Sequence, residues 1–409
     1  MYRRSMPKKR LHHPFVPASL NGWLLVNENG QPRFWATVWA DVIKTGVDHG
    51  TRGGLLGAVE KLYRFATEQN DGKDRLDAII ASGDFDAIET VLGGFLVNLR
   101  NESACDAVDR ERTWQTAVLF IHDVMDHLGR TTSAEMTRVQ ANLLRLQHLY
   151  GQIAPRPPKP PMPIRALPAV VVEDIYEQFN PMSERNPFRT ETLRWRNYLI
   201  FLLMLHLGLR RGEVLILPAD AIKEDFDPET GEDRHWINVV ETLDEDPRSV
   251  APSLKNAFSQ RQLPIPKDLV TLADRYILNY RGQPGHAYLV NSQKGKPLAL
   301  SSLAEVFAII TANLSERAKK ALTDRGKSSV SPHDLRHTAA VGRLARYIKN
   351  GNDLETAIEK MRVFFGWSMM SQMPRHYARA YFATSTDDIC AENFDIFVAA
   401  LRDATGEQK

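Results

Sequence analysis

Apolar residues recur at helical spacing through the first third of the chain. Leu55, Val59, Leu62, Tyr63 and Ala66 line one face, and Trp114, Val118, Ile121, Met125 and Leu128 line another. Thr132 with Glu135 forms a capping box ahead of Met136, Val139, Leu143, Leu146 and Tyr150. No strand pattern interrupts residues 33–150, which predicts a small helical domain of about four or five helices. Residues 1–30 are polar, carry an Asn29-Gly30 turn signal, and read as an extended lead-in. The apolar stripes are core positions. The opposite faces hold Arg138 and Arg145, a pattern that suits a solvated surface or a phosphate contact equally.

Pro155-Arg156-Pro157-Pro158-Lys159-Pro160-Pro161-Met162-Pro163 ends that pattern. Such a run leaves helix for an extended spacer. With Arg165 beyond it, the segment is either a plain linker or a basic strap suited to a phosphate backbone. Residues 170–179 then predict a short helix and 194–209 a longer one. The longer helix is apolar nearly all round through Tyr198–Leu205 and therefore buried. Arg210 follows Gly208 at its end, where it either clamps an anion or satisfies the last carbonyls. Gly212 and Glu213 open another helix, and Glu213 is placed to brace a guanidinium. Residues 236–240, 261–266 and 287–290 read as short strands, with Lys255 in the polar turn between the first two. The rest is helical to about Ala383. A last helix spans 387–403, capped by Thr386 or Asp387, with Ile389, Phe394, Phe397, Val398 and Leu401 as its apolar stripe. The expected fold is mainly α with a small antiparallel sheet. Its parts are a helical domain (1–154), a linker (155–165), a second domain (166–385) and a tail helix (386–409).

Composition changes this picture little. Hydrophobic residues make up 43% and charged residues 25% of 409, as in a soluble globular protein. No apolar run reaches the ~18–20 residues of a membrane span. The basic start (Arg3, Arg4, Lys8, Lys9, Arg10) lacks the apolar core of a signal peptide, and suits a solvated tail or a nucleic-acid arm. Cys105 and Cys390, far apart, support no disulfide framework, so a cytoplasmic protein is expected. A net charge of +2 leaves DNA binding open, because the distribution of charge decides phosphate contact.

The candidate chemistry centres on Ser331-Pro332-His333-Asp334-Leu335-Arg336-His337-Thr338. After the proline, His333 and Arg336 fall on one face of a helix's first turns and can meet one anion. Arg210 lies upstream; Gly366-Trp367 and then Tyr377 lie downstream. Two arginines, a histidine, an indole donor and a phenol suit phosphoryl transfer with a tyrosine nucleophile. His333 and His337 have no cysteine or acidic cluster to complete a metal site, so no metal or other cofactor is expected.

In these segments the chain resembles the tyrosine recombinase (phage integrase) family. Gly208-Leu209-Arg210-Arg211-Gly212-Glu213-Val214-Leu215 resembles the first-arginine motif, and Pro252–Asn256 leading to Arg261–Pro266 resembles the lysine-bearing hairpin. His333-Asp334-Leu335-Arg336-His337 matches the His-x-x-Arg box, Phe365-Gly366-Trp367-Ser368 the Gly-His/Trp box, and Arg375-His376-Tyr377-Ala378 the nucleophile segment. The boxes span 208–377, in family order. From Trp367 to Tyr377 the chain is one residue longer than the family spacing. The extra residue is expected as a bulge near Pro374, and Tyr381, one helical turn on, is the alternative nucleophile.

The resemblance implies a SAM-like, DNA-clamping core-binding domain ahead of the catalytic domain. It assigns Arg210 and Arg336 to the non-bridging phosphate oxygens, with Trp367 donating to one of them. His333 would assist the Tyr377 phenol and Lys255 would protonate the leaving 5′-oxygen. The resulting 3′-phosphotyrosine conserves the bond, so resealing needs neither ATP nor metal. The implied partner is double-stranded DNA with a specific site, bound by a tetramer on two sites in the nucleoid, with the tail helix docked on its own domain or exchanged between protomers. The rival readings are a type IB topoisomerase-like or hairpin-resolving nicking–closing enzyme, and a non-catalytic DNA-binding regulator.

Overall fold

The computed structural model describes residues 8–11, 22–47, 49–101, 107–130, 133–153, 165–229, 231–241, 246–248 and 251–383. The chain divides into two compact units between residues 159 and 160. In the first, a hairpin of β1 (Lys8–Leu11) and β2 (Gly22–Leu25) precedes α1 (Phe34–Val38), α2 (His49–Gln69), α3 (Leu76–Ser82), α4 (Phe85–Asn101), α5 (Ala107–His127) and α6 (Ala134–Ile153). The two strands pair antiparallel, Lys8 opposite Leu25 and Leu11 opposite Gly22, so the lead-in contains a sheet the sequence pattern did not predict. Gly53 of α2 leaves the space that the Trp23 indole occupies. The core is aromatic at its centre: Trp39 and Tyr63 both pack on Phe120, at centroid distances of 5.3 and 6.0 Å. At the start of α6 the Ser133 hydroxyl accepts from Met136 N (3.2 Å), while Thr132 lies outside the described residues.

The second unit begins with α7 (Ala169–Phe179), α8 (Glu191–His206) and α9 (Arg211–Ile216). Thr190 caps α8 by accepting from Leu193 N, and every residue from Trp195 to His206 is buried, as its unbroken apolar run requires. A three-stranded antiparallel sheet follows: β3 (Ile222–Asp227), β4 (Glu232–Val239) and β5 (Arg261–Pro264), in that order across the sheet. Ile222 faces Ile237, and Val239 faces Arg261. β3, Ile-Lys-Glu-Asp-Phe-Asp, is charged and was not expected as a strand. Residues 287–290, expected as one, instead form a single bridge between Tyr288 and Pro218.

The unit closes with α10 (Lys267–Tyr276), α11 (Leu300–Ala312), α12 (Glu316–Asp324), α13 (Pro332–Lys349), α14 (Leu354–Phe365) and α15 (Met373–Ala383). α13 starts as its sequence dictates: Pro332 occupies the first turn, and Ser331 N donates to the Asp334 carboxylate at 2.9 Å. Pro374 belongs to α15 rather than to a bulge, and the His376 amide bonds Gln372 O, so any extra residue is absorbed in the turn before it. Among the described residues no helix is long and apolar enough to cross a membrane.

Two left-handed glycines flank Phe365. Gly208 has φ +60°, and a methyl group there would sit 2.3 Å from Phe365 Cε1; Gly366, φ +59°, caps α14. Gly208→Ala is therefore expected to cost about 2–4 kcal/mol, from left-handed backbone strain and overpacking together. Urea unfolding checks this, and an unchanged midpoint would show that Phe365 has room to move.

Candidate active site

Arg210 is the residue before the first turn of α9, with extended backbone (φ −71°, ψ 154°). α8 ends at His206, earlier than expected, and Arg210 satisfies none of its carbonyls. Its backbone N–H and its guanidinium both bond Glu213, and Nη1 also donates to Ser259 Oγ (3.1 Å). Arg336, on the inner face of α13, donates to Gly208 O (2.5 Å) and Phe365 O (2.6 Å). Its Nη1 lies 3.8 Å from Glu213 Oε2. Arg261, at the start of β5, grips Glu213 with both ends of its fork (3.2 and 3.0 Å) and donates through Nε to Phe364 O (2.8 Å). Three guanidiniums thus converge on one carboxylate that is 1% exposed.

That carboxylate is the group the cluster ionises. Burial alone would push the Glu213 pKa up, but Arg261, Arg336 and Arg210 hold it at about 2. Burial and the like charge of Arg210 push Arg336 down to about 9 against the pull of Glu213, so it stays cationic at neutral pH. With one negative and three positive charges, the cluster carries a surplus of positive charge, the electrostatic condition for receiving an anion.

Trp367 and Tyr377 lie against this cluster. The indole stacks on Phe365 at 4.8 Å and 14°, and Tyr377 stacks on the indole at 5.4 Å and 17°. The Arg336 guanidinium lies 5.5 Å from the Trp367 ring. Tyr377 is 2% exposed; burial pushes its phenol up to about 12, with Arg336, Arg210 and Arg165 pulling the other way. The His337 ring stands edge-on between His333 (4.4 Å) and Tyr377 (5.1 Å). Burial, then Arg165 and Arg336, lower the pKa of His333. The structure therefore brings together Arg210, Glu213, Arg336, Trp367 and Tyr377, with His333 linked through His337.

The other residues singled out in the sequence fare differently. Lys255 is exposed in the segment ahead of β5 and makes no hydrogen bond or ion pair with these groups among the described residues. Arg165 is exposed, yet its charge reaches His333, His337 and Tyr377. It sits beside Ala166 and Leu167, which are held by Arg325 (3.3 Å) and by the Thr338 hydroxyl of α13 (2.9 Å). Arg138 pairs with Asp86 on the first unit, and Arg145 is exposed there. Arg156, Lys159, the Tyr381 side chain and the tail helix lie outside the described residues. No group of histidine, cysteine and acidic residues among those described could hold a metal ion.

Sequence reasoning missed Arg261 and Ser259. The signal for Arg261 was present: alternation along the strand puts it on the same face as Leu263 and Ile265, both buried.

One buried histidine gives the second unit an acid sensitivity. His206 bonds the Tyr176 hydroxyl at 3.0 Å, and burial, then Arg343 and Arg346, push it down to about 3. Unfolded, it titrates near 6.5, so between these values the unfolded chain binds the extra proton. Its stabilisation is complete above pH 6.5 and falls as the pH drops, by about 2 kcal/mol at pH 5. Denaturant midpoints at pH 7 and 5 check this, and His206→Gln should reduce the difference by about 2 kcal/mol, with His337, which burial also pushes down to about 3, supplying the remainder; an equal slope in the variant would place the effect elsewhere.

Comparison with solved structures finds 28 similar chains, among them the following three. The crystal structure of XerA recombinase is 16% identical over 84% of this chain and 92% of that one, with a TM-score of 0.34. XerH site-specific recombinase bound to difH substrate, a pre-cleavage complex, is 13% identical over 82% and 80%, with a TM-score of 0.45. XerH bound to palindromic difH substrate, a post-cleavage complex, is 14% identical over 81% and 77%, with a TM-score of 0.46. No curated protein matches. The sequence model of the phage integrase family matches residues 169–384, which hold all the clustered residues. That match spans more than half of the chain, and the chain belongs to the phage integrase family, the tyrosine recombinases.

Proposed function

We propose that this protein is a site-specific DNA recombinase that cleaves and rejoins DNA strands through a 3′-phosphotyrosine on Tyr377. The observation that carries the reading is the gathering of Arg210 and Arg336, with surplus positive charge, beside the Trp367–Tyr377 stack. Arg210 and Arg336 bind the non-bridging oxygens of the scissile phosphate, and the Trp367 indole N–H donates to one of them. The Tyr377 oxygen attacks phosphorus; a P–O bond to the phenol forms as the P–O5′ bond breaks. The phenolic proton passes to His333, and Lys255 supplies a proton to the departing 5′-oxygen. A 5′-hydroxyl of a partner strand reverses the step, so the reading calls for neither ATP nor metal.

Two features fit this chemistry. With its phenol pushed up to about 12, only about one Tyr377 in 10⁵ is ionised at pH 7, so the proton must leave as attack proceeds. His333, lowered from its ordinary value, is neutral and able to take it. Lys255, on an exposed segment that leads into Ser259, joins the site once DNA is bound.

In this reading residues 1–154 are the core-binding domain, with Arg138 and Arg145 on its DNA side. The linker 155–165 lays Arg156, Lys159 and Arg165 along the backbone. Residues 166–385 catalyse, and the helix at 386–409 links protomers of a tetramer on two sites. Duplexes selected by binding from a randomised pool, then nicked beside the protected step, test the reading. A covalent protein–DNA band formed in chelator, with the phosphopeptide mapping to Tyr377, is the expected result. A duplex that binds tightly and never yields an adduct would leave a DNA-binding regulator in its place.

A further inference from the structure

Glu213 has its oxygens fully subscribed. Oε1 accepts from Arg210 Nη1 and from Arg261 Nη1 at 3.2 Å; Oε2 accepts from Arg210 N at 2.9 Å and from Arg261 Nη2 at 3.0 Å. A carboxylate offers about four acceptor sites, and all are taken. Arg336 Nη1 stands 3.8 Å from Oε2, outside hydrogen-bond reach, and spends its donors on the backbone carbonyls of Gly208 and Phe365. Arg261 is 6% exposed and Arg336 3% exposed, so water is a poor substitute for either partner. Arg261 also holds Phe364 O (2.8 Å) and Ser259 O (2.6 Å), which fixes its fork in place.

We infer that Arg261 is a positioning residue for strand cleavage: by filling both oxygens of Glu213 it keeps that carboxylate from closing onto Arg336, and so preserves the positive surplus that meets the phosphate. Without Arg261, Oε2 has a vacant acceptor within 1 Å of a hydrogen bond to Arg336. The carboxylate then neutralises the arginine that should face the substrate, and the cluster of three cations and one anion becomes two and one. A plain structural brace would act otherwise: removing it would weaken the fold, and removing its partner as well would weaken it further. The inference rests on the cleavage chemistry proposed above.

Single-turnover cleavage of a selected, nicked duplex by the full chain separates the two. Arg261→Gln is expected to cleave about 30-fold more slowly, the effect of one unit charge about 8 Å from the phosphate at an effective dielectric of about 20. Duplex Kd should change less than the rate. Adding Glu213→Gln restores the charge count, and the double variant should regain about tenfold over Arg261→Gln alone. A double variant no faster than the single one, or an Arg261→Gln chain as fast as wild type, overturns the inference. Should Arg261→Gln not fold, the charge-matched double variant decides: cleavage within about tenfold of wild type supports the inference, and complete loss overturns it. Absence of an adduct from wild type is a different outcome, because it overturns the cleavage reading itself.

Discussion

A chain carrying Tyr377→Phe is expected to bind its duplex with wild-type affinity and to form no covalent adduct at all. The change removes one oxygen and leaves the ring. That ring is 2% exposed and lies 5.4 Å from Trp367 and 5.1 Å from His337, so its packing survives the substitution. The stability of the second unit should stay within about 1 kcal/mol of wild type, since only one hydroxyl is lost. Chemistry and folding are thereby separated in one variant. Denaturing gels with the nicked duplex, beside urea unfolding of the same preparation, check both halves. An adduct that persists in Tyr377→Phe moves the nucleophile, and Tyr381 on the same helix is then the residue to substitute.

Arg336→Ala is expected to damage both activity and fold. Its guanidinium is 3% exposed and is the donor to Gly208 O and Phe365 O, the carbonyls of two residues that lie close together in space. Truncation leaves two buried acceptors without that donor and Glu213 with one fewer cation, a loss of about 3–5 kcal/mol. Cleavage should fall by about 10³-fold or more, the usual cost of removing a preorganised donor to a developing phosphoryl charge. Arg336→Lys keeps the charge but cannot span both carbonyls, so it should recover part of the stability and little of the rate. Rates measured with saturating protein, at a temperature where each variant is folded, separate the effects. Wild-type cleavage by folded Arg336→Ala would remove this arginine from the mechanism.

Much of the second unit was legible because local chemistry decides it. The unbroken apolar run of α8 can only be buried, and Ser331-Pro332 with Asp334 can only start a helix. Spacing put His333 and Arg336 on the first turns of one helix; in the structure Arg336 is buried and His333 is exposed, meeting the cluster through the His337 ring. What the sequence hid depends on pairing between distant segments. β3 is charged because its residues from Glu224 to Phe226 are exposed, and only its register opposite β4 makes it a strand. The pairing of β1 with β2 was hidden in the same way, because β1, Lys-Lys-Arg-Leu, is polar and only its register opposite the apolar β2 makes it a strand. Residues 287–290 have a strand's composition but make only one bridge. Arg210 was expected at the end of α8 and is found opening α9, because a helix boundary set by Leu207 and Gly208 lies beyond what an apolar run can specify. Arg261 was overlooked since a single arginine at a strand's start looks like solvent-facing charge; its partner, Glu213, lies 48 residues away.

The Phe365–Trp367–Tyr377 stack makes the site observable by magnetic resonance. Near-parallel rings at 4.8 and 5.4 Å shield one another's protons, so the Trp367 indole and Tyr377 ring signals should appear upfield of their ordinary positions. Those shifts depend steeply on ring separation. Selective labelling of the tryptophans, with Trp367→Phe to assign the signal, would turn this one indole into a gauge of where the Tyr377 ring stands, readable before any DNA strand is cut.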